Sequence, residues 1–292
     1  MKARVYVSFN TGWRDRQRAR KLLSKAGLAD MIPLDDQWGY SKTFDLADPA
    51  LTSLRTALDR AGFDWSERRE HIYTPEELRR FPLMSLIIDR AQAAEGGPTC
   101  GTQYDMSRAC PVCGTGAVQV SPLLLRPPEI PKKAVIFQTY HWETVVDAHL
   151  AEALRSEELT GLEFRQVRAS TDGRLLPWFQ IITAHEMPPM APETTGIERE
   201  RQCPRCHRDG HFHSNRVPIE IRYHLDESTR ETLPDVVHTY ECFGNSVLKE
   251  PFAKSHLAQP LVLVKPRVMD SLRAQKVRRL RYDPVWINAG PP

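Results

Sequence analysis

Apolar and polar positions alternate over residues 4–9, the period of a strand with one buried face. A polar helix follows over residues 15–26, and Gly27 can stop it in a left-handed C-terminal conformation. The next helix is marked more fully. Asp48 is a natural N-cap, Pro49 suits the first helical position, and Leu51, Leu54, Leu58 and Phe63 continue an apolar face that Gly62 interrupts. Thr74-Pro75-Glu76-Glu77 repeats the start signal for a third helix, which Pro82 ends or kinks. These signals predict a small α/β or mostly helical module over residues 1–95. Ala94-Glu95-Gly96-Gly97-Pro98 marks its end, because glycine and proline favour a turn and nothing there is apolar enough to pack.

Residues 96–292 read as a second domain. Residues 134–137 are apolar enough for a strand, and residues 143–156 predict a helix with Val146, Leu150 and Leu154 along one side. Strands are expected at 162–167 and 178–182. The order then returns, with a strand at 260–264, a helix at 267–275 and a strand at 280–285. A shift of 118 residues pairs Leu150 with Val268, Leu154-Arg155 with Leu272-Arg273, Leu162 with Leu280, Phe164 with Tyr282 and Val167 with Val285. Such matches suggest two similar strand-helix-strand units. The expected fold class is α+β, with mixed sheets covered by helices.

Two cysteine pairs bracket the first unit: Cys110-Pro111-Val112-Cys113-Gly114 and Cys203-Pro204-Arg205-Cys206-His207. Each spacing suits a tight knuckle that turns two thiolates toward one ion, so Cys110, Cys113, Cys203 and Cys206 predict one closed, structural Zn2+ site, split across the sequence like a divided zinc ribbon. His207, His211 and His213 crowd the second pair and could replace a cysteine or form a second site, although four cysteines already complete a tetrahedron. Cys100 and Cys242 stand apart and read as buried thiols.

At 41% apolar and 26% charged, the 292-residue chain can build sizeable cores. No secretory signal is visible at the start, and the longest apolar runs fall far below the roughly 20 residues of a membrane helix. The expected location is therefore cytoplasmic and off the membrane, where six cysteines argue for metal over disulfides. The net charge of +3 conceals basic ends: residues 1–25 carry eight Lys/Arg against one Asp, and residues 265–281 carry seven against one. Either run could meet nucleic acid or an acidic protein, or lie against the acidic body.

Catalytic patterns are scarce. His185-Glu186 lacks the second histidine of a metalloprotease helix, no glycine-rich phosphate loop follows a strand, and no serine occupies a nucleophile elbow. Gly101-Thr102-Gln103-Tyr104-Asp105 is a compact polar cluster better suited to fixing the approach to the first knuckle. The chain is expected not to be an enzyme.

The first Cys-x-x-Cys-Gly, the long insert, the second Cys-x-x-Cys and the closing Tyr282-Asp283-Pro284-Val285 resemble the double-CXXCG-motif immunity proteins of myxobacteria over roughly residues 100–288. Leu159-Thr160-Gly161-Leu162-Glu163-Phe164-Arg165-Gln166-Val167 is similar to an element of related immunity families. His207 stands where that family has glycine, and about a hundred residues precede the first motif. The resemblance implies a non-enzymatic cytoplasmic protein that binds and blocks a cognate toxin, with zinc shaping its scaffold. The competing reading is a zinc-ribbon nucleic-acid binder in which Arg14, Arg16, Arg18, Lys276, Arg278, Arg279 and Arg281 contact phosphate.

Overall fold

The computed structural model describes residues 2–11, 15–33, 39–88, 94–131, 133–214, 217–248 and 256–289. It forms two compact units, Met1–Glu77 with His213–Ile219, and Leu78–Phe212 with Glu220–Pro292.

The first unit runs β1 (Lys2–Asn10), α1 (Arg16–Lys25), β2 (Ile32–Pro33), β3 (Gly39–Asp45), α2 (Pro49–Ala61) and β4 (Trp65–Ile72). Its antiparallel sheet has the order β2-β3-β1-β4. A β-α-β-β-α-β chain in that order is the ferredoxin-like arrangement, so the module is α/β and not mostly helical. Val5, Val7 and Phe9 alternate inward from β1 and share a core with Ala19 and Leu23 of α1 and Leu51, Leu54 and Leu58 of α2. The start of α2 follows from its sequence: the Asp48 carboxylate accepts from Ala50 N at 2.9 Å, and Pro49 has no N–H to leave unpaired. Gly62 ends the helix in the left-handed region.

The expected third helix is a single turn, α3 (Pro75–Leu78), closed by a capping box in which Thr74 N donates to Glu77 and Glu77 N to Thr74 Oγ1. The chain then forms β5 (Leu83–Ile88), the short pair β6 (Tyr104–Asp105) and β7 (Val118–Gln119), β8 (Leu124–Leu125), β9 (Ile136–Gln138), β10 (Thr144–Asp147), α4 (Ala148–Ser156), β11 (Glu163–Ala169) and β12 (Leu175–Ile182). A second run has the short pair β13 (Ile197–Arg199) and β14 (His211–His213), β15 (Ile221–Leu225), α5 (Glu227–Thr232), β16 (Val236–Phe243), β17 (Gln259–Val264), α6 (Pro266–Ala274) and β18 (Leu280–Ala289).

These two runs build matching five-stranded mixed sheets, β8-β11-β12-β10-β9 and β15-β18-β5-β17-β16. In both, the first pairing is parallel and every other one antiparallel. The shift of 118 residues carries Ala148–Ser156 of α4 onto Pro266–Ala274 of α6. It also carries two left-handed turn residues, Glu158 (φ 51°) and Gly161 (φ 76°), onto Lys276 (φ 56°) and Arg279 (φ 63°). The duplication suggested by apolar positions is thus present in topology and in backbone conformation.

One strand breaks the order. The centre of the first sheet, β12, follows β11 directly, whereas the same place in the second sheet is filled by β5, from ahead of both halves. This pairing puts the unit boundary at Glu77–Leu78, earlier than the Ala94–Pro98 turn expected from composition. The helix expected over 143–156 begins later, at Ala148. Thr144, Val145 and Val146 are buried on β10, their branched side chains suiting a strand, and Asp147 caps the helix by accepting from Leu150 N at 2.8 Å.

The halves meet across an apolar layer. Ile136, Leu154 and Leu162 from the first and Val236, Val264, Val268 and Leu272 from the second line a residual cavity of only about 20 Å³, so packing there is nearly complete. A polar clamp sits at its edge: Asp235, 3% exposed, accepts from Thr160 N and Oγ1 at 2.8 and 2.9 Å, with Arg267 at 3.4 Å. A Cβ at Gly161 would lie 2.2 Å from Val236 O, so only glycine lets this turn approach the start of β16 so closely.

Candidate metal centre

Each knuckle is carried between the strands of a short pair: Cys110 and Cys113 between β6 and β7, Cys203 and Cys206 between β13 and β14. Their backbones match. Gly114 N donates to Cys110 O at 2.7 Å and His207 N donates to Cys203 O at 3.1 Å, and both residues after the second cysteine are left-handed, Gly114 at φ 77° and His207 at φ 55°. This conformation explains the glycine of the motif, and His207 shows that a bulkier residue can hold it where its side chain is free to enter solvent. Gly114 has no such freedom: an added Cβ would meet Leu248 at 2.7 Å, Leu257 at 3.0 Å and Met106 at 3.2 Å.

The two knuckles bring the four predicted sulfurs together. The Sγ atoms of Cys110, Cys113, Cys203 and Cys206 all lie within 4.8 Å of one another, with Cys110–Cys203 at 3.7 Å and Cys113–Cys206 at 3.5 Å. A tetrahedral ion with bonds of about 2.3 Å to sulfur separates its thiolates by about 3.8 Å, so the donor set and its spacing fit such an ion. Cys113 and Cys203 are buried, Cys110 and Cys206 partly so, and none of the six cysteines is in a disulfide.

Electrostatics around the sulfurs are uneven. Burial alone would raise the Cys110 thiol, but the N–H groups of Cys113 and Val112 and the neighbouring thiols draw it down to about 7. Burial pushes the thiols of Cys113 and Cys206 up, opposed by N–H groups two residues on, those of Thr115 and Arg208. Outer groups hold the knuckles still. Cys110 N donates to Thr115 O at 2.9 Å, and Asp209, 2% exposed, accepts from Cys203 N at 2.7 Å and Ser246 N at 3.3 Å. Four sulfurs close a tetrahedron, so an ion here has no position open for water or substrate and acts on structure.

Other candidates from the sequence have different placements. His207, His211 and His213 lie outside the sulfur cluster. His207 is exposed, and His211 is buried against Phe243 with Nε2 3.2 Å from Gln202 Nε2. Cys242 is buried, which raises its thiol to about 12, and Cys100 is half-buried. Thr102 and Asp105 do fix the approach to the first knuckle, Thr102 Oγ1 accepting from Leu124 N and Asp105 accepting from Ser107 N and Oγ. Glu186 pairs with Arg208, whose guanidinium lies 4.0 Å above the Tyr240 ring.

Sequence reasoning missed one buried cluster. Glu143 sits wholly inside, where Tyr104 OH donates to it at 3.2 Å and Thr139 Oγ1 donates to its other oxygen, and burial raises its carboxyl above the ordinary range. His141 and His256 face one another with Nδ1 atoms 3.2 Å apart. The only available signal, His141-Trp142-Glu143 after a predicted strand, has no metal or catalytic spacing.

No protein-family model matches this chain, and no curated protein matches it either. Among the described residues no helix is long and apolar enough to cross a membrane.

Proposed function

We propose that the protein is a non-catalytic, cytoplasmic immunity-type protein that binds and neutralises a cognate toxin, with zinc as the ion held by Cys110, Cys113, Cys203 and Cys206. The observation that carries this reading is the closed four-sulfur cluster drawn equally from two similar halves. Such an ion clasps a scaffold and leaves surfaces for binding. The double-cysteine resemblance supplies the kind of partner. Leu159-Thr160-Gly161, part of the similar segment, forms the contact with Asp235 and Val236 that joins the halves.

The test is co-expression with the products of the genes that flank its own. Protection of the host and co-purification of the two proteins are expected; neither protection nor co-purification would overturn the reading. Metal analysis of the purified protein should return about one zinc per chain.

The nucleic-acid reading has one observation in its favour. Arg18, Lys21 and Lys25 line an open groove of about 690 Å³ against Ser53 and Ala57, with no carboxylate among the lining residues. Arg18 is already engaged there, donating to Ala61 O at 2.7 Å, and Arg281 lies 3.6 Å from Asp283. Arg14 is outside the described residues. Fluorescence anisotropy with a labelled oligonucleotide decides it, since phosphate contacts give affinity that falls steeply with salt.

A further inference from the structure

The buried polar cluster and the four sulfurs are joined by a continuous set of contacts. Between β9 and β10, Thr139 N donates to Glu143 O at 3.0 Å and closes the turn that carries His141. Its base is fixed to the approach to the first knuckle, because Tyr104 of β6 donates to Glu143. Gly97 makes room for the carboxylate, since a Cβ there would fall 2.4 Å from Glu143 Oε1.

The two facing imidazoles can be assigned atom by atom. Thr99 Oγ1 gives its hydrogen to Gly96 O at 2.9 Å, so toward His141 Nε2, at 3.3 Å, it accepts. His141 Nδ1 is then left with a lone pair, and the hydrogen between the rings belongs to His256 Nδ1, 3.2 Å away. Burial, joined at His256 by the neighbouring His141, lowers both rings below the ordinary histidine range despite Glu95 and Glu143, so near neutral pH this uncharged bond is the one present.

His256 belongs to a strap over the metal centre. Its N–H and C=O bond Val247 at 3.0 and 2.7 Å, and Ala258 N donates to Ser246 Oγ at 2.9 Å, which unites residues 246–248 with 256–258. The strap reaches each knuckle at its buried cysteine. Leu248 and Leu257 lie over Gly114, which follows Cys113, and Ser246 N shares the Asp209 carboxylate with Cys203 N. An ion with four sulfur ligands leaves as the sulfurs release it in turn, which requires the knuckle backbones to move. A strap pinned at both knuckles opposes that movement.

We infer that His141 and His256 latch this strap across the two knuckles and thereby set how slowly the bound ion is released, which makes the buried polar cluster an outer support of the metal centre. This rests on the metal reading of the four cysteines and is independent of the toxin. Both histidines act by positioning, since neither is among the sulfur donors.

The test loads the full chain with Zn2+ and follows release into excess chromogenic chelator near neutral pH, with thermal melting alongside. His256→Ala and His141→Ala should each take up the ion and release it about tenfold faster than wild type, or more. The double variant should release it no faster than either single one, because both remove the same bond; destabilisation spread through the fold would instead multiply the two effects. His256→Asn, whose amide can place an N–H where Nδ1 stands, should restore most of the wild-type rate. Ser246→Ala loosens the strap without touching the turn and should also speed release; if the histidine variants fail to fold, a wild-type rate in Ser246→Ala overturns the latch. Wild-type rates in both histidine variants, or effects that multiply in the double, overturn it and leave the metal reading standing. Wild type that takes up no Zn2+ removes both.

Discussion

The two halves of the four-cysteine unit have one backbone and two chemistries. Strand order, polarity, the paired helices and even the left-handed residues after α4 and α6 coincide. Yet the shift that superposes them carries Thr139 and Glu143 of the buried polar cluster onto Leu257 and Leu261, two buried leucines. One half spends interior space on a hydrogen-bonded carboxylate that shapes a surface turn, while the other fills it with hydrocarbon beside the first knuckle. Topology is thus carried by apolar spacing and turn geometry, which tolerate changes elsewhere, and specialisation enters where polar groups replace leucine.

The largest expected effect comes from removing the element the halves share. Cys203→Ser should abolish metal binding and the cooperative unfolding of the unit together, since an ion in a closed site contributes on the order of 10 kcal/mol of coupled binding and folding energy. Cys110→Ser, in the other half, should do the same. Metal content and urea unfolding of each variant check this. Full stability with one sulfur missing would mean that the halves hold together without the ion.

A second substitution tests the equivalence of the turns. Gly161→Ala places a methyl group 2.2 Å from Val236 O in a left-handed residue and should cost about 3 kcal/mol or more in urea unfolding. At the equivalent position Arg279→Gly should be neutral or stabilising by up to about 1 kcal/mol, because the backbone there already accepts the conformation with a side chain attached. Equal costs at both positions would show that the turns are alike only in angle and not in packing.

These turns also show what could be read from the chain before folding. The four-cysteine cluster was legible because a Cys-x-x-Cys knuckle is local chemistry, and α2 because Asp48, Pro49 and Gly62 are local signals. The start of α4 was obscured because Val146, Leu150 and Leu154 keep a helical spacing across a change to strand at Thr144–Asp147. Strand β4, reading Trp-Ser-Glu-Arg-Arg-Glu-His-Ile, has almost no apolar face and is held by its register with β1. The placement of β5 depends on partners near residues 263 and 285, a pairing that no window around Leu83 contains. The Tyr104–Glu143 bond is likewise a product of the fold.

The knuckles offer a smaller contrast. Gly114→Ala should cost about 2 kcal/mol, combining left-handed strain with contact against Leu248 and Leu257. His207→Gly should leave zinc content unchanged and stability equal or slightly higher, as measured by metal analysis and thermal melting. Loss of zinc from His207→Gly would instead make the imidazole part of the site.

The smallest effect concerns pH and belongs to the polar half. Burial holds His141 below the ordinary histidine range despite Glu95, and burial followed by the neighbouring His141 does the same to His256 despite Glu143. In the unfolded chain both would titrate near 6.5, so below that pH the unfolded state binds more protons and stability falls as pH drops. Glu143 works in the opposite sense: burial makes its carboxyl take up a proton at higher pH in the fold than in the unfolded chain, so its contribution improves as pH falls toward about 4.5. His256→Gln isolates the first term, because it removes one titrating partner and leaves Glu143 bonded to Tyr104 and Thr139. Urea midpoints between pH 7.5 and 5.5 should then decline less steeply than in wild type. Parallel declines would show that the imidazole pair is solvated and that the polar half anchors its turn through Glu143 alone.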